Sequence, residues 1–292
     1  MIFVSFGRPI LDLTVKLYPP RMFVSIGGVE MNFAIDAAVL GKDAIFLGAL
    51  GEDILYEKIV KLAKKVKKLR LEHIQIKSKK SGIIALVVGR NEEILYKLVD
   101  YGASEDFHFT PVIQQEIEKI SKEGIFFTSL FSANSSKLKR EWQKAVECAK
   151  RNSLKIAVSI AGIGTVRKED LSSILNFIKE TADFIFMNRE EAEKIDLAEF
   201  DSALLVITDQ NRSAIARFRE KKWEIAPRKT IVVTRPYSIG AGDAFAAAFL
   251  VKYLESGEIE EAMKYAHQIA AVKLTLPTSH LLPEAFEKGV IK

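Results

Sequence analysis

Short runs of β-branched and aromatic residues alternate with amphipathic stretches along almost the whole chain, and this alternation restricts the fold more than any other feature. Strand-like runs fall at 2–6, 44–47, 125–128, 156–158, 184–187 and 204–207. Helical periodicity falls at 29–40, 54–67, 135–150, 168–179, 243–255 and 259–274. Strands separated by a helix cannot pair as hairpins; they cross over, lie parallel, and need helices on both faces of their sheet. The expected fold class is therefore α/β, with a doubly wound, mostly parallel central sheet. Two stretches break the rhythm. Residues 11–24 and 83–99 are strand-rich without an intervening helix, and Gly89-Arg90-Asn91 suits a hairpin turn. They are expected to form a small β lid over one end of the sheet, within a single domain spanning 1–292.

Composition excludes several classes. With 292 residues, 48% of them hydrophobic, the chain can bury a large core without disulfide staples. Its one cysteine, Cys148, permits neither an intrachain disulfide nor a cysteine metal cluster and reads as a packed thiol. The net charge of +5 is modest, and the densest basic run, KLAKKVKKLR at 61–70, carries Leu62, Val66 and Leu69 at helical spacing with no aromatic residue. That pattern is a solvated helix face rather than a nucleic-acid surface. No apolar segment approaches the ~20 residues of a membrane helix, and the first residues read as a strand, not a signal peptide. The expected location is cytoplasmic. His73, His108, His267 and His280 are scattered and form no metal-ligand spacing.

The sharpest local feature is Gly240-Ala241-Gly242-Asp243, which opens the apolar stretch Ala244-Phe245-Ala246-Ala247-Ala248-Phe249. Glycines let the backbone turn tightly and approach a ligand closely. Free N–H groups of Gly240, Ala241 and Gly242 at a helix N-terminus would favour anionic oxygens such as those of a phosphoryl group. Asp243 beside them could take a proton from an attacking hydroxyl. An acid in this place is also a common helix cap, so the motif alone leaves both roles open.

A second feature is Gly27-Gly28-Val29-Glu30-Met31-Asn32, followed by small residues at 34, 37 and 38 and by Gly48, Gly51 and Asp53. Paired glycines before a helix admit a small ligand, and Asn32 one turn in can donate and accept hydrogen bonds. A dehydrogenase would carry G-x-G-x-x-G here, and it is absent.

In this order and spacing, the two features resemble the ribokinase-like carbohydrate kinases, the PfkB family, over nearly the entire chain. Gly240 to Phe245 is similar to that family's C-terminal signature and Gly27 to Asp53 to its N-terminal signature. Asn188-Arg189-Glu190-Glu191 resembles its N-x-x-E segment, and Gly7 and Asp12 resemble its first strand and substrate-binding acid. The resemblance implies a ribokinase-like fold and ATP-dependent transfer of a phosphoryl group to a hydroxyl of a small polyol: a sugar, a sugar acid or a cyclitol such as inositol. It implies Asp243 as the base and Gly240, Ala241 and Gly242 as the anion hole, with Asp12, Gly27, Gly28 and Asn32 on the acceptor. It implies Asn188, Glu191, Thr208, Gln210 and His267 at the nucleotide, with Glu191 reaching Mg2+ indirectly through water. ATP and the polyol are the implied small-molecule partners, with the chain a monomer or a weak homodimer through the lid.

Several positions depart from the family. Tyr237-Ser238-Ile239 stands where the family usually has D-T-T, so little activation by potassium is expected. Ser159-Ile160-Ala161-Gly162-Ile163 replaces D-P-N-x-R and lacks its arginine, and 208–213 lacks both glycines of T-x-G-x-x-G. Tyr56 stands at a glycine position of D-x-x-G, and the short 7–27 interval suggests a reduced lid. A nucleoside kinase of the same family, a non-catalytic sugar-binding regulatory protein that keeps the fold, and a doubly wound dehydrogenase are the alternatives.

Overall fold

The computed structural model describes residues 2–90, 94–120, 124–210, 212–227 and 238–287. Its strands are β1 (Ile2–Phe6), β2 (Ile10–Leu17), β3 (Pro20–Gly27), β4 (Asp43–Gly51), β5 (Leu69–Arg70), β6 (Ile74–Lys77), β7 (Gly82–Val88), β8 (Ile94–Asp100), β9 (Ile125–Ser129), β10 (Lys155–Ser159), β11 (Phe184–Asn188), β12 (Leu204–Thr208), β13 (Ala214–Phe218) and β14 (Lys221–Ile225). Its helices are α1 (Val29–Val39), α2 (Ile54–Lys65), α3 (Pro111–Glu118), α4 (Leu130–Ala133), α5 (Ser136–Arg151), α6 (Lys168–Thr181), α7 (Arg189–Ala192), α8 (Ala241–Ser256), α9 (Ile259–Leu274) and α10 (Glu284–Glu287).

The main sheet runs β14-β13-β12-β11-β10-β9-β1-β4-β5, with β6 also paired to β4. From β12 to β5 and β6 every pairing is parallel; only the β12-β13-β14 edge is antiparallel. Alternate residues of each strand feed opposite layers. Phe3, Ile125, Phe127, Phe184 and Phe186 pack into one core with α1, α2, α8 and α9. Val4, Phe6, Phe126, Ile185 and Met187 pack into the other with α3, α5 and α6. The expected doubly wound α/β sheet is the observed one. Cys148 lies in the second core as a buried free thiol. Helix α8 is buried along residues 244–251, which is why its sequence is apolar on every side rather than amphipathic.

Strand β4 continues past the expected 44–47 to Gly51, because Gly48 to Gly51 pair with Ile74 to Lys77 of β6. Strands β13 and β14 and helix α3 were not legible in the sequence. β13 and β14 lie at the sheet edge, half exposed and rich in lysine and arginine, and so lack the apolar run of a central strand.

The two strand-rich stretches form one four-stranded sheet, β3-β2-β7-β8. Residues 91–93 of the hairpin turn lie outside the described residues. Register fixes what each face carries. Asp12 pairs with Ser25 and Thr14 with Phe23, and the buried Asp12, Thr14 and Ser25 turn towards the main sheet. Val15 pairs with Met22, Leu13 with Val24, Ala85 with Leu98 and Val87 with Tyr96 on the opposite face. There Met22 is 67% exposed and Tyr96 61%, an apolar outer face.

Candidate active site

Helix α8 begins on a turn that only glycine fits. Gly240 has φ 79°, and a Cβ there would sit 1.8 Å from the Ser279 carbonyl oxygen. The N–H of Ala241 is directed to the Ser238 carbonyl at 3.1 Å, so this expected anion-hole donor is engaged by the turn itself. The first-turn donors that helix geometry leaves for an anion are those of Gly242 and Asp243. Gly242 is exposed and has no atom within 4 Å of where a Cβ would stand.

Asp243 is half-buried in the first turn of α8 and accepts a hydrogen bond from Asn32 Nδ2 at 2.8 Å. Burial, then the nearby carboxylates of Glu30 and Asp12, push its pKa up to about 7, against the opposing effects of the Asn32 bond and the Lys273 charge. A carboxyl tuned near neutrality can both hold and release a proton at physiological pH. Asn32 is buried on α1; its Oδ1 has no hydrogen-bond partner among the described residues.

The paired glycines have a steric reason that the sequence did not reveal. A Cβ on Gly27 would lie 1.9 Å from Asp12 Oδ2, and one on Gly28, whose φ is 96°, would lie 2.0 Å from the Arg8 carbonyl oxygen. They admit Asp12 and the β1–β2 connection, not only a ligand. Asp12 is buried, accepts the Ser279 hydroxyl at 2.7 Å, and has its pKa pushed up to about 6 by burial. The Ser279 N–H is given to Ser25 Oγ at 3.1 Å, so the segment after α9 is joined to the four-stranded sheet.

A cavity at the ends of β10, β11 and β12 is lined by Ser159, Asn188, Glu191, Thr208, Gly242 and Asp243, among others. The C-terminal ends of parallel strands are where open α/β sheets bind ligands. Asn188 and Glu191 form a capping box for α7: Asn188 Oδ1 accepts the Glu191 N–H at 2.8 Å, and Glu191 Oε2 accepts the Asn188 N–H at 2.9 Å. Burial raises the Glu191 pKa. Gln210 stands apart from this lining, exposed on the turn after β12 with φ 45°, a conformation that favours glycine. His267 also stands apart: its Nε2–H is directed to the Ile225 carbonyl at 3.0 Å, and its ring meets the edge of Phe245, which does line the cavity. Tyr237 and Asn211 lie outside the described residues.

Four buried charged residues at this end of the sheet were not singled out from the sequence. Glu30 Oε1 accepts the hydroxyls of Ser129 and Ser132, and Gly7 makes room for its side chain. Asp36 Oδ1 accepts the Leu281 N–H at 2.6 Å. Lys273 is fully buried on α9. Arg8, fully buried, lies 4.0 Å above the Tyr101 ring, and burial lowers its pKa. The signal that was available is a charge inside an apolar helical face: Glu30 and Asp36 in α1, Lys273 in α9.

Residues 11–281 match the pattern of the pfkB family carbohydrate kinases. The chain is 25% identical over 285 residues to a ribokinase of Haemophilus influenzae, covering 92% of this chain and 86% of that protein. It is 24% identical over 320 residues to a 5-dehydro-2-deoxygluconokinase of Listeria monocytogenes, covering 97% and 93%. Among solved structures, adenosine kinase from Sinorhizobium meliloti superposes with a TM-score of 0.82 at 17% identity, covering 98% of both chains. Fructokinase with bound ATP from Xylella fastidiosa superposes at 0.81 and 17%, covering 98% of this chain and 97% of that one. These superpositions bear on the fold, and the sequence match over 11–281 on ancestry: the chain belongs to the pfkB family of carbohydrate kinases.

Proposed function

We propose that this chain transfers the γ-phosphoryl group of ATP to a hydroxyl of a small polyol, with Asp243 as the general base. The observation that carries the reading is the position of Asp243: hydrogen-bonded to Asn32, in the first turn of α8, and lining the same cavity as Gly242, Asn188, Glu191 and Thr208. In this reading the acceptor hydroxyl gives its proton to the Asp243 carboxylate as its oxygen attacks the γ-phosphorus. The bond to the β–γ bridging oxygen breaks and ADP leaves. Donors at the start of α8 hold the transferring group, so the chain supplies position and charge neutralisation, which is most of what phosphoryl transfer requires.

The acceptor would lie under the lid, against Asp12 and the free Oδ1 of Asn32, both suited to accepting hydroxyl protons. Relatives named for ribose and for 5-dehydro-2-deoxygluconate favour a sugar, sugar acid or cyclitol. Mg2+ is ordinarily held by one or two carboxylates together with waters and substrate phosphates. Glu191, a half-buried carboxylate on the cavity wall, fits such an indirect role, and the ion would neutralise phosphate charge. The chain 1–292 reads as one domain with its lid near 11–24 and 83–99, and the apolar outer face of that lid suits pairing with a second copy. No described helix is long and apolar enough to cross a membrane.

The test is magnesium-ATP turnover against a panel of D-ribose, D-fructose, 2-keto sugar acids, myo-inositol and adenosine, with wild type and Asp243→Asn side by side. Turnover of a polyol that falls about a hundredfold or more in the variant, with nucleotide affinity within a fewfold, supports the reading. Sugar binding without turnover would favour the regulatory alternative; adenosine as the best acceptor would favour the nucleoside kinase.

A further inference from the structure

Arg8 has none of its surface exposed, and its Nε, Nη1 and Nη2 all lack a hydrogen-bond partner among the described residues. A guanidinium keeps its charge at physiological pH and carries five donors, so a buried one with every donor idle calls for a partner. Arg8 stands on the connection from β1 to β2, where the chain leaves the C-terminal end of a central parallel strand for the four-stranded sheet. Its guanidinium carbon lies 4.0 Å from the centre of the Tyr101 ring and 5.3 Å from that of Phe131, and the two rings meet edge to face at 5.4 Å. Tyr101 follows β8 of the four-stranded sheet, and Phe131 follows β9 of the main sheet. Stacked rings occupy the flat faces of a guanidinium, whereas its N–H groups point outward in its own plane, so the edge is left for a ligand. Glu105 Oε1 lies 3.6 Å from Nη2, near enough to share charge and too far for a hydrogen bond.

The remaining unpartnered groups between the two sheets offer oxygen. Glu30 reaches the same turn as Phe131, because its Oε1 accepts the hydroxyls of Ser129 and Ser132; its Oε2 is buried with no donor among the described residues. Asn32 Oδ1, two residues further along α1, and Thr14 Oγ1 on β2 are in the same condition. Hydroxyls of a polyol can donate to these oxygens. Arg8 needs something else: a carboxylate, which accepts two parallel N–H bonds from the guanidinium fork.

We infer that Arg8 determines acceptor specificity by binding a carboxylate, so that the acceptor is a polyhydroxy acid rather than a neutral sugar or cyclitol. The inference rests on the reading of the chain as a polyol kinase and narrows it. The carboxylates of Asp12 and Glu30 disfavour a further negative charge beside them, so an acid has one favourable orientation, with its carboxylate at Arg8 and its hydroxyls towards β2 and α1. A neutral acceptor would leave the buried guanidinium unmatched, and a site built around a charged hydrogen-bonding group rejects an analogue that cannot answer it.

The experiment uses acceptor pairs that differ only in a terminal carboxylate against a hydroxymethyl group: 2-keto-D-gluconate with D-fructose, and D-gluconate with D-glucitol. Binding is measured by calorimetry without ATP and turnover with magnesium-ATP, for wild type, Arg8→Met and Arg8→Lys. In wild type the better acid should bind at least about tenfold tighter than its neutral partner and exceed it in kcat/KM by a similar factor. Arg8→Met should abolish that preference by raising Kd and KM for the acid, with kcat and the constants for the neutral partner within about threefold. Arg8→Lys keeps the charge without the fork and should retain part of the preference. An arginine that only clasps Tyr101 to Phe131 would, on substitution, lower the melting temperature or weaken both members of a pair by the same factor; that result overturns the inference. Equal affinities in wild type, or an acid that does not bind at all, overturn it without any variant, so a misfolded Arg8→Met cannot protect it. Acid binding that depends on Arg8 with no phosphoryl transfer would keep the role of Arg8 and remove the kinase reading, whereas turnover that favours D-fructose would do the reverse.

Discussion

Asn32 Nδ2 donates to Asp243 Oδ2 across 2.8 Å, joining side chains 211 positions apart in the sequence. Helix α1 brings one partner and helix α8 the other, and the two helices lie side by side on the same face of the sheet. The contact connects the glycine pair at 27–28 with the glycine turn at 240–242.

Removing that donor gives the first expectation. The Asn32 bond favours the ionised form of Asp243, so Asn32→Ala should raise its pKa above the present value of about 7. Activity that needs the carboxylate should then fall more at pH 6 than at pH 8.5. A pH–rate profile displaced downward by the same factor at every pH would contradict this.

Stability should trend the other way. Asp12 and Asp243 have folded-state pKa values of about 6 and about 7, above the unfolded carboxyl range near 4. Between about pH 4 and 7 the folded state binds more protons than the unfolded one, so this contribution is full below pH 4 and is lost as pH rises through the folded values. Asp12→Asn and Asp243→Asn should each raise the melting temperature at pH 8 by about 2–4 °C and change it little at pH 4. Calorimetry at the two pH values checks both; a Tm lowered equally at both would refute it.

Glycine substitutions should separate into two kinds. Gly27→Ala drives a Cβ into Asp12 Oδ2, and Gly240→Ala drives one into the Ser279 backbone at positive φ. Each should destabilise by about 1–3 kcal/mol and lower turnover, because the atoms displaced belong to the proposed site. Gly257→Ala meets open space at φ 72°, so only the left-handed strain of about 1 kcal/mol remains and activity should persist. Denaturant midpoints and turnover measured on the three variants test the ranking.

The exposed face of the four-stranded sheet supports a fourth expectation. Met22→Lys combined with Leu98→Lys should abolish any dimer while leaving the monomer folded, because Met22 is 67% and Leu98 47% exposed. Light scattering across a concentration series measures this; an unchanged mass for a dimeric parent would place the interface elsewhere.

Much of the architecture was legible from local pattern. Strand-like runs separated by helical stretches gave the parallel sheet and its two helical layers, since a strand joined to the next through a helix crosses over and pairs parallel. The edge strands β13 and β14 were not, because a half-exposed pair carrying Lys221, Lys222 and Arg217 lacks the apolar run that marks a central strand. The glycine turn, Asp243 and Asn32 stood out by residue type and spacing, whereas Asp12 was singled out only through the family resemblance. The purpose of Gly27 was not: nothing in the sequence says that the atom filling its missing Cβ belongs to Asp12.

The sequence by itself determined most of the central strands and the helices that cover them, and it marked the glycine turn at 240–242 and its acid, because those features depend on neighbours within a few positions. Tertiary structure decided the electrostatics. Whether Asp12, Asp36, Asp243 and Lys273 tune one another depends on β2, α1, α8 and α9 converging at one end of the sheet, and on how completely that convergence excludes water. Coulomb interactions and desolvation act through space, so elements distant in the chain set the proton affinity of Asp243.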